Sequence, residues 1–220
     1  MSHLKTMGSK NWEKLHAVFQ LIESARAEGI SVFADRYPYI AAATELDVVM
    51  PSWVCEGGNE SEMSRLKDRR LREKIFSEVS RKEHLGQDVV VSSVSSRKNK
   101  HLQGKTLSEC ASLRHQTLQD VLFDLLIEEE LKVEAFFFCM SDDNLKKILE
   151  KEWVVIGSDS SVWDRGAAWE ARNPHPRAFG TFPGFIRRFV LDEQLFSIEA
   201  AVKKMTSDTA AVIGLQKRGK

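Results

Sequence analysis

Four consecutive apolar residues, Trp153 to Ile156, stop at once in Gly157-Ser158-Asp159. A run this short and this apolar reads as a strand buried on both faces, which is what a parallel sheet demands. Its aspartate falls just past the carboxyl end of the strand, the edge where α/β folds and barrels keep their chemistry. The N-terminal region follows the same pattern. Ser2 to Lys5 are too few for a full strand but sit where a strand end would. Trp12, Leu15, Val18, Phe19, Leu21, Ile22 and Ala25 then recur at helical spacing until Glu28-Gly29. Ile30 to Ala34 reads as a second buried strand, closing in Asp35-Arg36-Tyr37-Pro38-Tyr39. Strand end, helix and strand make one βαβ unit, which predicts parallel pairing.

After Tyr39 the pattern loosens. Residues 62 to 81 form a helix of mixed charge, 88 to 94 (DVVVSSV) a strand, and 95 to 105 a polar loop. Leu107 to Leu113 and Leu118 to Glu130 are helical, and Lys132 to Met140 is apolar enough for a strand. The stretch from about 45 to 135 therefore reads as an insertion between core strands, of the kind that forms a lid. Residues 1–44 and 136–220 flank it as the core. Ser141 caps a short helix that ends at Glu150, Gly180-Thr181-Phe182-Pro183 opens another, and Ser197 to Val212 forms a last one with Ile198, Ala201, Val202 and Met205 on one face.

Composition excludes several classes of function. The 220 residues carry 32 basic and 32 acidic side chains, so no net field recruits nucleic acid or an anionic membrane. The basic helix around Arg65 to Lys82 has no aromatic interleaving and reads as a solvated face. A small-molecule partner is the expectation. Cys55, Cys110 and Cys139 are odd in number, widely spaced and without a CxxC pair, which fits a reducing compartment. Neither a signal-peptide core nor an apolar run of roughly 18 residues is visible, so the expected location is cytoplasmic.

The residues that could carry chemistry cluster at the strand ends. Asp159 is placed to move a proton, or else to cap the turn that follows its strand. His3 and Lys5 are two apart, so on a strand both point the same way; His3 could equally be a frayed terminal residue. Tyr37 is a candidate hydrogen-bond donor or a core aromatic. Arg177, in Asn173-Pro174-His175-Pro176-Arg177, is a candidate carboxylate fork or a surface arginine, and the two prolines stiffen the loop that delivers it. His175 lies between those prolines and could shape the pocket, while His16, His84, His101 and His115 lack ligand spacing and read as structural or exposed. Cys55 has no basic neighbour in sequence and reads as a buried thiol.

The order of the GSD strand end, the HPR loop, the GTFP turn and the later KMTSDTAAVIGL helix resembles the C-terminal part of the N-acyl-D-amino-acid deacylases, the D-aminoacylase branch of the amidohydrolase superfamily. The resemblance extends back to Ser2-His3-Leu4-Lys5. It implies a fragment of an α/β, TIM-type barrel contributing the last three strands, with the inserted region as a lid. It also implies a parent reaction, the zinc-assisted hydrolysis of N-acyl-D-amino acids to a D-amino acid and a carboxylate. In that reaction Asp159 is the general base and acid, His3 a metal ligand, and Lys5, Tyr37 and Arg177 the grip on the substrate carboxylate. Complete members carry an HxH pair, a bridging cysteine and a further histidine that have no counterpart here, so zinc binding by this chain is expected to be weak or absent. Ala43, Ser160 and Gly184 also depart from the family pattern. The expectation is a fragment without turnover of its own, completed by a missing N-terminal half or associating with itself. Its rival is an inactive remnant serving as a structural or interaction module.

Overall fold

The computed structural model of the protein describes residues 1–80, 85–163, 173–215 and 217–219. Its strands are β1 (Ala34–Arg36), β2 (Ala42–Glu45), β3 (Val89–Val94), β4 (Val133–Phe137) and β5 (Val154–Ile156). The chain divides into two compact units, one of Met1–Ile40, Met140–Trp163 and Pro176–Lys220, the other of Ala41–Cys139 and Asp164–His175.

In the first unit β1 and β5 pair in parallel, with Ala34 opposite Val154 and Arg36 opposite Ile156. The N-terminal residues lie against the other edge of β1: Asp35 N donates to Met1 O (3.1 Å) and Leu4 N to Asp35 O (3.0 Å). All three residues of β5 are buried, as its unbroken apolar run requires. Helices cover this sheet in two apolar clusters. Leu15, Phe19 and Ile22 of the helix Leu15–Ala27 pack with Leu4, Ala34, Ile148, Trp153 and Val154. Leu145 and Leu149 of the helix Asp142–Leu149 pack with Ile156, Phe185, Phe189 and Ala201. Ser141 caps that helix through its Oγ, which accepts from Asn144 N at 3.2 Å.

The second unit holds the antiparallel sheet β2-β4-β3, with a bulge between Val91 and Ser93. The helix Leu118–Glu128 contributes Val121, Leu122, Phe123, Leu125 and Leu126, all fully buried. A polar network seals one end: Glu128 accepts from Lys98, Arg114 and Asn99, and Glu129 accepts from Ser95 N, Ser96 and Asn99.

Several expected elements differ. The strand expected over Ile30–Ala34 begins only at Ala34, because Gly29 turns the chain at φ 88° and leaves Ile30 exposed. The mixed-charge helix is two, Asn59–Lys67 and Arg69–Val79, since the Asp68 carboxylate caps the second by accepting from Arg70 N. Its expected tail at Arg81 and Lys82, like His84, lies outside the described residues. The polar stretch 95–105 contains a 3-10 helix, Arg97–Leu102, with Asn99 and Leu102 buried. β2 had no signal in the loosened pattern after Tyr39. The helix expected to open at Gly180 already runs from Arg177 to Phe185, and continues as a π-helix over Ile186–Asp192. Pro183 lies inside it and has no N–H to give, which accounts for the widened register after it. The last helix breaks at Thr206 into Ile198–Met205 and Ser207–Val212. Ala201 and Lys204 are buried in the first piece and Ala210 in the second, while Ile198 and Val202 are exposed. Lys204 takes that inward place because its ammonium donates to Lys151 O (2.6 Å) and Val154 O (2.9 Å).

Candidate functional site

Three segments of the first unit finish on one edge of the parallel sheet. The N-terminal residues bring His3 and Lys5, β1 ends in Arg36 and Tyr37, and β5 leads through Gly157 to Asp159. Gly157 N donates to Arg36 O at 3.2 Å, which extends the ladder one step past β5. That step demands glycine: a Cβ on residue 157 would stand 2.8 Å from Asp35 Oδ2 and 3.1 Å from Asp35 Cβ. The same Asp35 carboxylate accepts from His3 N at 3.0 Å and so holds the N-terminal segment in place.

The expected site residues form an unbroken series of contacts. Lys5 Nζ lies 2.7 Å from His3 Nδ1 and donates to His3 O at 3.3 Å. It also stands 5.4 Å from the centre of the Tyr37 ring. The Arg177 guanidinium lies over that ring at 4.9 Å, and its Nη1 is 2.7 Å from Asp159 Oδ2. Tyr37 is fully buried, whereas Arg177 and Asp159 keep 14% and 27% of their side chains exposed, enough for a ligand to reach them. Arg177 is placed at the first turn of its helix by Pro176, and the alternatives of a surface arginine and a frayed His3 do not describe these positions.

Two of these residues have left-handed backbones, His3 at φ 41° and Asp159 at φ 50°. Such a conformation costs a non-glycine residue on the order of 1 kcal/mol and collects at functional positions. It turns the Asp159 side chain out of the strand direction and toward Arg177. Nearby, Gly180 and Gly184 of the Arg177–Phe185 helix make room for the Tyr39 hydroxyl, which a Cβ at residue 180 would strike and one at residue 184 would approach to 3.3 Å. The glycine after GTFP thus has a packing reason in this chain. Burial raises the Tyr39 pKa.

Sequence reasoning missed Arg36. It is 1% exposed, and its Nη2 donates to Tyr39 O (2.7 Å) and meets Met140 Sδ (3.1 Å). Its guanidinium lies 4.1 Å from the centre of the Tyr37 ring, so two guanidiniums share one phenol. Burial pulls its pKa down and Arg177 adds to that, while Tyr37 and Asp159 act the other way. The signal available was its place directly before Tyr37 at the end of a buried strand, in Asp35-Arg36-Tyr37.

The remaining candidates lie elsewhere. His175 is buried in the second unit, with Nε2 3.1 Å from Ala41 O and its ring edge-on to Phe136. The Cys55 thiol is pushed up to about 11 by burial and by Glu62, which suits a packed thiol and not a nucleophile. As for a metal, no cluster of three His, Cys, Asp or Glu side chains exists among the described residues. Lys5 has only donors, so a His3 Nδ1 that meets it is an acceptor and the ring proton sits on Nε2. One imidazole so engaged falls short of the three protein ligands a catalytic zinc takes, so the described residues do not by themselves fit a resident zinc.

No family model matches the chain. Along its full length it is 30% identical to a D-aminoacylase and 27% identical to an N-acyl-D-glutamate deacylase, both of Alcaligenes xylosoxydans xylosoxydans. It spans 36% of the length of each. Among solved structures it superposes, with a TM-score of 0.71 and 24% identity over the whole chain, on the N-acyl-D-glutamate deacylase of Bordetella bronchiseptica, solved with zinc and a phosphonate mimic of the reaction's tetrahedral intermediate. A D-aminoacylase structure described as defining a subset of amidohydrolases gives 0.67 at 28% identity over 99% of the chain, and another, on the binuclear metal centre of D-aminoacylase, gives 0.68. In both cases 36% of the solved chain is covered. The fold of this chain is therefore that of part of an amidohydrolase, mixed α/β with few strands.

Proposed function

We propose, for a chain that is a relative of the N-acyl-D-amino-acid deacylases along its whole length, that its residues supply the carboxylate-gripping and proton-handling side of an amide-hydrolysing site. The substrate class is an N-acyl-D-amino acid, released as a D-amino acid and a carboxylate. β1, β5 and the N-terminal residues are the last strands of a TIM-type barrel, and the region from about 45 to 135 is its inserted lid. In the complete enzyme His3 would be one of the residues holding a zinc ion, which would supply the activation of the attacking water.

What this chain contributes can be stated atom by atom. Arg177 offers a guanidinium fork to the substrate carboxylate and Lys5 an ammonium, both near the Tyr37 ring, whose hydroxyl is the third member of the grip. Asp159 accepts the proton of the attacking water and passes it to the departing amine. Arg177 and Asp159 are paired at 2.7 Å, so an incoming carboxylate takes Arg177 and sets Asp159 loose for that task. A carboxylate at Lys5 likewise releases His3, which then becomes available as a metal ligand. The observation that carries this reading is the Asp159–Arg177 pair lying against the Tyr37 ring at the end of a parallel sheet.

The mismatch of the metal donors favours a second statement: the chain binds its ligand but does not turn it over, with the remaining metal ligands supplied by a separate segment or a partner chain. The experiment is a titration of the purified chain with N-acetyl-D-methionine, followed by NMR, beside a hydrolysis assay with added zinc. Binding of the acid in preference to its primary amide is expected. Arg177→Met should weaken the acid at least tenfold, the worth of a charge-assisted hydrogen bond of roughly 1.5–3 kcal/mol. No preference for the acid would overturn the proposed grip, and hydrolysis at an enzymic rate would overturn the silent state.

A further inference from the structure

A buried guanidinium without a carboxylate beside it is costly to keep, since desolvation of a charge is recovered only through pairing and hydrogen bonding. Among the described residues Arg36 is such a group. Nη2 is satisfied by Tyr39 O and touches Met140 Sδ, but Nε and Nη1 meet no hydrogen-bond partner among the described residues. A structure that needed only packing at this point would place an apolar side chain there at lower cost. The group lies on the Tyr37 ring that Arg177 and Lys5 also approach, at 4.1, 4.9 and 5.4 Å respectively. Among the described residues, the cations Lys5, Arg36 and Arg177 and the carboxylates Asp35 and Asp159 gather here. Asp35 is turned to His3 N and Asp159 to Arg177, so neither reaches Arg36 as a direct partner.

We propose that Arg36 is a positioning residue for ligand recognition: a buried cation stacked on the Tyr37 ring, which Arg177 and Lys5 also approach, that steadies the ring and adds its charge to the grip on a carboxylate ligand. This rests on the carboxylate grip proposed above and adds to it a residue that never touches the ligand. The guanidinium acts in two ways. It holds the Tyr37 ring by stacking, which keeps the hydroxyl in one place. Its charge acts on the bound carboxylate through a water-poor interior, where screening is weak.

The test compares an acid with its uncharged counterpart on the full chain. Dissociation constants for N-acetyl-D-methionine and N-acetyl-D-methioninamide are measured by NMR titration for the wild type, Arg36→Met, Arg36→Gln and Arg36→Lys, with circular dichroism to verify folding. The expected result is that both neutral variants bind the acid about tenfold more weakly, the scale of a close charge coupling, while their affinity for the amide is unchanged. Arg36→Lys, which keeps the charge, stays within about threefold of the wild type for the acid. Unchanged affinity for the acid in a folded neutral variant overturns the proposal, and so does an equal loss for acid and amide, which would mark a role in packing alone. If both neutral variants fail to fold while Arg36→Lys folds, Arg36 belongs to the core and the proposal falls. A wild type that does not prefer acid to amide removes the underlying grip, a failure distinct from the others because it appears before any substitution.

Discussion

Adding one methyl group at residue 157 should loosen the sheet edge that carries the site. The Cβ of Gly157→Ala would lie 2.8 Å from Asp35 Oδ2, 3.1 Å from Asp35 Cβ and 3.3 Å from Asp35 Cγ. Ordinary contact begins near 3.4 Å, so Asp35 or residue 157 must move by several tenths of an ångström. Asp35 cannot yield freely. Its N and O are in the ladder with Met1 and Leu4, its Oδ1 holds His3 N, and it pairs in register with Val155. Overpacking against so constrained a neighbour costs about 1–3 kcal/mol, and a middle value near 2 kcal/mol lowers the folding equilibrium about thirtyfold. The assay is urea denaturation of the wild type, Gly157→Ala, Asp35→Ala and the double variant. In the Asp35→Ala background the contacts with the carboxylate are gone and only the 3.1 Å contact with the Cβ of residue 35 remains, so the cost should fall to about half, near 1 kcal/mol, and the cycle should show coupling. An equal cost of Gly157→Ala in both backgrounds, or no cost in either, would refute the reasoning.

Two further outcomes are expected. Burial works against the charge of Glu128, yet hydrogen bonds from Lys98, Arg114 and Asn99 outweigh it and hold its pKa down at about 2, so the stability it adds is complete above the unfolded carboxylate value near 4.5 and is lost as pH falls toward 2. Allowing for solvent screening, Glu128→Gln should cost about 1 kcal/mol at pH 7 and nearly nothing at pH 2, read from urea midpoints at the two pH values. Ser141→Ala should cost about 1 kcal/mol by removing the oxygen that accepts from Asn144 N, and thermal melting checks it against Ser141→Asp, which keeps a capping oxygen.

What could be read from the chain, and what could not, divides along physical lines. β5, β3 and β4 were legible because apolar residues crowd into runs that only burial explains, and the Ser141 cap because a hydroxyl stands directly before an acidic first turn. β2 was not legible, since Ala42-Ala43-Thr44-Glu45 has weak strand preference and becomes a strand through its pairing with β4. The breaks at Asp68 and Thr206 were hidden for a similar reason, as a helical period continues on both sides of each. For the site, motif order located Asp159, Tyr37, Lys5 and Arg177, but the Asp159–Arg177 pair depends on a φ of 50° that no residue pattern announces. Arg36 escaped because nothing in a lone arginine marks it for burial, yet it is 1% exposed.

The parallel ladder also has a consequence for assembly. Ala34 faces Val154, so the chain must close a very long loop before Asp159 and Arg177 can meet His3, Lys5 and Tyr37. The entropy of such a closure rises only with the logarithm of loop length, about 0.6 kcal/mol for each doubling. The interposed sequence is therefore free to gain or lose tens of residues at little thermodynamic penalty, while the strand ends on either side of it tolerate hardly a methyl group. Growth in this molecule is cheap in the span between those ends and dear at the ends themselves.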